Sequence, residues 1–505
     1  MDKKYKKNMI TTLIIRKNNR ESNGVLKELQ QKIKPKIIFV YALIITLYAF
    51  ALFDALHMYS LGGADWDFIA HWLWAKSLTN YNFYSALFSG HLANAILYSN
   101  TFYFETLRAP LAGIIMIPFT LLDAGLAMPL YFAFILALLL YSVIYASKAI
   151  SINPLVLSLL LFTPYVALFL MLLNGTEIVS VILLIILVAM LISKDWKAGI
   201  VLALAGLAKY PNLIFVPLLL FLPKEKQLKA FALFLIVTGP WIAFNTIVYH
   251  NPVLSYIISI GSFSNGGASS YFPINIISQS LLLILPELVP ALLVLVIGLF
   301  LMYKKRNGLK AQIKVLGRKM ISWNDRRYKI IISFLALGFF GFLVTSLRGS
   351  INDLPRLGYL IYTGIALFLA ISLSDLANKF PSRKNVYLYL LTGLFVISII
   401  ILLTWFPYTG YVFYGSSSPA LGAVGSAMVS QGISHCNVIS NNWVYLIYLG
   451  YKAHFPYYYN YTVQHYPVVF FTNTGSNQSS INFANVSLRI NYSDFFIAFP
   501  RNYSC

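Results

Sequence analysis

Runs of apolar residues recur between positions 37 and 405, and lysine and arginine are gathered into a few of the gaps between them. A run of roughly 20 apolar residues is what an α-helix needs to cross about 30 Å of hydrocarbon. Apolar residues make up 59% of the chain and charged residues 11%, whereas a soluble protein is usually about one quarter charged. The 505 residues therefore read as an α-helical polytopic membrane protein, not as a string of soluble domains.

The formal charge of +22 would suggest nucleic acid as a partner in a soluble chain, so its distribution matters. Segment 1–37 holds 11 of the 38 basic residues, and ten more lie between Lys304 and Lys329. Basic residues near span ends mark the cytoplasmic side. The charge is thus topological, no nucleic-acid partner is expected, and membrane lipids are. Segment 1–36 reads as a basic cytoplasmic N-terminus, because no short apolar core with a small-residue cleavage site follows its charges.

The first span is expected at 37–57. A polar and aromatic external loop, 58–108, follows. Six apolar runs come next, at 109–121, 126–147, 154–173, 177–193, 198–208 and 211–222. Lysines after the fourth and the sixth put both places inside, so the parity of crossings requires at least one run to re-enter or lie along the surface. The run 154–173, interrupted at Pro164, is the candidate. The pair 198–208 and 211–222 reads as a short helical hairpin with the bend Lys209-Tyr210-Pro211 at its tip. A lysine at such depth is costly unless it faces a wet cavity or an anion; snorkelling to the interface is the plainer account.

Further spans are expected at 230–249, within 274–303, and at 330–347, 357–373 and 385–405, with a cytoplasmic loop at 304–329. The multi-span domain is 37–405, with about 10–13 spans by this length criterion. Segment 406–505 is different material: three basic residues, one acid and short apolar runs such as Val468–Phe471 and Phe495–Ala498. It reads as a small extracytoplasmic α/β domain. Both cysteines, Cys436 and Cys505, fall in it, as a disulfide in an oxidising exterior would require, although two free thiols are the alternative. Five N-x-S/T sequons also fall there, at Asn460, Asn477, Asn485, Asn491 and Asn502, against one elsewhere at Asn174. Their density fits an archaeal plasma membrane or a eukaryotic endoplasmic reticulum, with the N-terminus cytoplasmic and the C-terminus outside.

The segment with most chemistry is Gly62–Lys76, which carries Asp65, Asp67, His71 and Trp72 just outside the first span. A carboxylate within hydrogen-bond reach of an acceptor hydroxyl can act as general base; helix capping is the plainer account of Asp65. A leaving phosphate would want cations at the same face, and the topology offers Lys209, Arg348, Arg356 and Arg108 there. Arginine recognises phosphate in bidentate fashion, but each of these residues would serve equally as an anchor to anionic headgroups. His57, His71 and His91 lack metal-ligand spacing, so no metal and no cofactor is expected.

These motifs resemble the polytopic glycosyltransferases of the GT-C superfamily, particularly glycosyltransferase family 87 and related mannosyl- and glucosyltransferases. Asp67-Phe68, then Trp72 and Ala75, are similar to the acidic first-loop motif of that family. Asp65, Asp67, His71 and Trp72 are similar to the His-Trp loop of the lipid-linked-oligosaccharide glucosyltransferases, so either aspartate fits as the base. A second likeness covers Asn174-Gly175-Thr176-Glu177 through Lys209-Tyr210-Pro211 to Leu222. A third is Leu354-Pro355-Arg356-Leu357-Gly358-Tyr359. Ala109-Pro110 after Arg108 departs from the usual entry to the second span.

The resemblance implies a polyprenyl- or dolichyl-phosphate hexose as donor, taken from the outer leaflet, and a glycan or lipid-linked acceptor whose hydroxyl attacks the anomeric carbon with inversion. Asp67 or Asp65 would be the base, Lys209, Arg348, Arg356 and Arg108 would bind phosphate, and His71, Trp72, Glu177 and Tyr210 would contact substrate. A lipid or glycan transporter, or a non-catalytic membrane scaffold, is the alternative class.

Overall fold

The computed structural model describes residues 35–60, 68, 71–72, 75–76, 109–162, 175–253, 325–346, 358–379, 393, 417–440, 446, 451–454, 466–471, 486–492 and 495–501. Met1–Phe50 and Ala51–Cys505 form two separate units. The described residues are mostly helical, with one small sheet.

The helices are α1 Pro35–Ser60, α2 Leu111–Thr120, α3 Ala124–Ile150, α4 Pro154–Phe162, α5 Thr176–Ile192, α6 Ala198–Ala208, a 3₁₀ helix Tyr210–Phe221, α7 Lys224–Tyr249, α8 Arg326–Ser346, α9 Tyr359–Lys379 and α10 Ser417–Ser430. They follow the apolar runs closely, and two of them, Leu126–Ile150 within α3 and Lys224–Ile247 within α7, are long and apolar enough to cross a membrane among the described residues. Of the run 154–173, α4 accounts for the first nine residues, and the rest lies outside the described residues. The expected spans within 274–303 and at 385–405 also lie outside them, apart from Gly393 in the second, which is helical and exposed.

Helix α5 is the axis of the helical unit. Beyond Ser180 it is apolar on all sides, and it is buried along nearly its whole length, as a helix without a polar stripe there must be. It packs against α3, α6, α8, α9 and the 3₁₀ helix. Helix α7 lies at the other extreme: 17% of its most apolar stretch is buried, against 50% for that of α3, so α7 turns leucine and isoleucine outward at Leu228, Leu235, Ile236 and Ile247. It approaches α6 through Gly199, where a Cβ would stand 1.9 Å from the Ala230 carbonyl oxygen, and only glycine permits that contact.

Helix α6 and the 3₁₀ helix form the expected hairpin. Lys209 is extended (φ −158°, ψ 124°), which ends α6, and Pro211 in the first turn of the 3₁₀ helix supplies a fixed φ and needs no N–H partner. Helix α6 carries the chain about 18 Å along its axis from Lys197 to Lys209.

One end of the bundle collects the basic residues. Lys226 Nζ donates to the Lys194 carbonyl (2.8 Å), so the two lysine-rich turns flanking the hairpin meet. Arg326 Nη2 donates to the carbonyls of Leu191 (2.9 Å) and Phe221 (2.6 Å), satisfying the last turns of α5 and the 3₁₀ helix together. Arg327 forks between Asp325 (2.8 Å) and Asp375 (3.1 Å), and the bond to Asp325 is the main reason its guanidinium is held charged above the ordinary arginine range.

The tail carries β1 Asn437–Ser440, β2 Lys452–His454, β3 Val468–Phe471, β4 Val486–Asn491 and β5 Phe495–Pro500, in the order β2-β1-β3-β5-β4. β2, β1 and β3 run parallel; β5 is antiparallel to both β3 and β4. The runs Val468–Phe471 and Phe495–Ala498 are strands, as their β-branched and aromatic content predicts. Ile439, Val468, Phe470, Phe496 and Ala498 form a core on one face. Cys436, fully buried at the entry to β1, is disulfide-bonded, and Cys505 lies outside the described residues.

Candidate functional site

At the end of the bundle away from Arg326, α5 begins at Gly175, whose φ of +83° is open to glycine at little cost. Thr176 and Glu177 form the first turn. Glu177 is fully buried, accepts a hydrogen bond from Thr176 Oγ1 (2.7 Å) and pairs through Oε1 with Lys209 Nζ. An acid in the first turn also lies at the positive end of the helix dipole. The lysine side chain is 14% exposed and the glutamate 0%, so the pair is open on the lysine side alone. An ammonium carries three donors, of which Glu177 takes one.

The chain just past Lys209 is locked by a second network. Asn212 Nδ2 donates to Ser180 Oγ and to the Ala205 carbonyl, both at 2.8 Å, and its Oδ1 accepts from Tyr359 Oη (2.8 Å). Ser180 Oγ in turn donates to the Thr176 carbonyl (3.0 Å). Lys209 Nζ stands 5.7 Å from the Tyr359 ring centroid. Tyr210 Oη accepts from Trp241 Nε1 of α7 (2.8 Å). One extended residue between two short helices is thereby tied to α5, α6, α7 and α9.

The first-loop segment reaches the same place. Phe68, His71, Trp72 and Ala75 are helical and buried, at the i, i+3, i+4, i+7 spacing of one helix face, while Lys76 is exposed. Phe68 stacks on Phe132 of α3 (5.8 Å) and meets Tyr131 edge-on (5.5 Å); Trp72 meets Tyr131 at 6.4 Å. A Cβ on Gly175 would stand 3.1 Å from Met116, 3.2 Å from Tyr131 Oη and 3.3 Å from Phe68. Glycine therefore serves both the backbone turn and the close seating of Phe68 against the entry to α5.

Of the residues expected to act, Glu177, Lys209 and Tyr210 come together, and His71 and Trp72 are buried on the segment that docks beside Gly175. Asp65, Asp67, Arg108, Arg348, Arg356 and His91 lie outside the described residues, and His57 falls within α1. The sequence reading missed Thr176, Ser180 and Asn212 as partners of the site. Asn212 had a signal, a single amide in the apolar run after Pro211; Ser180 had none, because a serine in a hydrophobic helix ordinarily bonds its own backbone. Among the described residues no group of three or more His, Cys, Asp or Glu side chains stands close enough to hold a metal ion.

A part-buried ammonium open on one side can receive an anion, while Phe68, Trp72 and Tyr131 are buried against one another and seat the first-loop segment beside Gly175. No protein-family model, no curated protein and no solved structure matches this chain.

Proposed function

We propose that the protein is a polytopic membrane glycosyltransferase of GT-C type. It takes a hexose such as mannose or glucose from a polyprenyl- or dolichyl-phosphate donor and transfers it, with inversion, to a glycan or lipid-linked acceptor on the outer face. Asp67 or Asp65 removes the proton of the acceptor hydroxyl, and Lys209 stabilises the phosphate as it leaves, assisted by Arg348, Arg356 and Arg108. His71, Trp72, Glu177 and Tyr210 shape the substrate cavity. No cofactor is needed, since the donor is already activated at its anomeric carbon.

The observation that carries this reading is the meeting of three segments far apart in sequence: Phe68 against Gly175, Glu177 against Lys209, and Tyr359 against Asn212. These are the three stretches in which the resemblance resides. If the basic end lies at the cytoplasmic headgroups, the length of α6 puts Lys209 about 18 Å in, past the midplane of an about 30 Å layer and in its far half. That depth suits a donor phosphate entering from the far leaflet.

The decisive experiment incubates the purified chain in lipid with radiolabelled polyprenyl-phosphate hexoses and a lipid extract, beside Asp67→Asn and Asp65→Asn. Transfer by the wild-type chain that is lost in one of the two variants is expected. Transfer indifferent to both would remove the base assignment, and no transfer from any donor would remove the enzyme.

A transporter reading draws on one observation, the Glu177–Lys209 pair within the bundle, since charge pairs of this kind mark translocation paths. Movement of a fluorescent lipid-linked sugar across vesicles without chemical change would favour it.

A further inference from the structure

We propose that Asn491 is an N-glycosylation site, carrying a glycan at the turn between β4 and β5. It is the last residue of β4, at the outer edge of the sheet, and it is exposed. Of the sequon asparagines it is the one whose placement the structure describes. In register it lies opposite Phe496, a core residue of β5, and two residues before it Arg489 lays its guanidinium 3.8 Å above that ring. Arg489 Nε donates to Asn491 Oδ1 (2.8 Å).

The carboxamide is therefore held by its oxygen against a cation that is itself seated on the core, and Nδ2 is the atom left for modification. Directly beyond, the chain turns tightly: Tyr492 N donates to the Phe495 carbonyl (2.8 Å), and the two rings stack at 4.4 Å. Tyr492 and Ser493 complete the sequon Asn491-Tyr492-Ser493. An exposed asparagine at the end of an edge strand accommodates a bulky substituent with no rearrangement of the core. No strand covers the outer edge of β4 among the described residues, and Leu488 on it is 54% exposed. Exposed edges of this kind invite pairing with another chain unless something blunts them, and a hydrophilic glycan at the end of the strand does so.

The chemistry needs a lipid-linked oligosaccharide and a separate oligosaccharyltransferase. Nδ2 attacks the anomeric carbon, a C–N bond forms, the C–O bond to the lipid phosphate breaks, the phosphate leaves with the electron pair, and the amide nitrogen gives up one proton. The proposal rests on the reading that segment 406–505 lies outside the cytoplasm, and it is independent of the transferase activity.

The test is mass spectrometry of the full chain purified from the membranes of the cells that make it. Trypsin cuts after Arg489 and Arg501, which isolates Ile490–Arg501 with Asn491 as its single asparagine. The expected result is a hexose-bearing mass on that asparagine, retained in Ser493→Thr and lost in Ser493→Ala. An unmodified peptide from wild-type protein, or a modification that survives Ser493→Ala, overturns the proposal; the wild-type measurement decides even where a variant fails to accumulate. Thiol labelling of Ser417→Cys in intact cells separates the two premises. Labelled cysteine with a bare Asn491 rejects the glycan and keeps the topology, whereas no labelling and a bare Asn491 reject both.

Discussion

Two ion pairs stand at opposite ends of the helical bundle, and they do different work. Near the start of α8, Arg327 shares Asp325 and Asp375, with all three side chains 16–24% exposed. At the start of α5, Glu177 is wholly buried and has Lys209 as its counter-ion. Partly solvated pairs contribute little, because water and salt screen them. A buried charge costs several kcal/mol to desolvate, about what its partner returns, so removing one partner is far worse than never having had the pair. The basic end can thus lose a charge and keep its fold, since its helix-capping work falls to Arg326 through backbone carbonyls. The other end cannot, and a costly pair open on one side fits a binding role better than a stabilising one.

The sharpest way to break the contrast is Lys209→Met, which removes the Lys209 cation from the buried Glu177 carboxylate and should cost about 3–5 kcal/mol. Thermal unfolding of the purified chain in nanodiscs checks it. The double variant Glu177→Leu with Lys209→Met should recover most of that loss while leaving sugar transfer absent; recovery of transfer would detach the pair from function.

Gly175→Ala comes next. A methyl group at φ +83°, within 3.1–3.3 Å of Met116, Tyr131 and Phe68, should destabilise by about 2 kcal/mol as left-handed strain. If transfer falls more steeply than stability in residual folded protein, the seating of Phe68 sets the geometry of the first loop.

Tyr359→Phe removes the donor to Asn212 Oδ1 and should cost about 1 kcal/mol, the low end for a buried acceptor left unpaired. A melting temperature equal to wild type would show that the amide finds another donor.

The smallest effect belongs to the other end of the bundle. Asp375→Asn should change stability by less than about 1 kcal/mol, and the difference should vanish in high salt. A loss rivaling that of Lys209→Met would erase the distinction between the two pairs.

Much of this organisation was legible beforehand. The limits of α5, α6 and the 3₁₀ helix follow the apolar runs within a residue or two, because Gly175, Lys209 with Pro211, and the lysine-rich turns are local breaks that each segment carries within itself. The strands Val468–Phe471 and Phe495–Ala498 were legible for the same reason. Lys209 stood out as a charge at a hairpin tip. The pairing did not: Glu177, expected to contact substrate, lies 32 positions away, and nothing in either stretch records that their side chains meet.

What the sequence determined by itself was therefore one-dimensional. It set where helices start and stop, which flanks carry positive charge, and that the tail is composed unlike the rest. Those properties depend on each residue and its near neighbours, through hydrophobic periodicity, backbone preference and charge. The tertiary structure alone decided that Arg326 caps two helices at once, that Asn212 joins α5 to α9, and that Phe68 is seated against Gly175. Such contacts are fixed by packing between segments far apart along the chain, where a difference of a few ångströms separates a hydrogen bond from none.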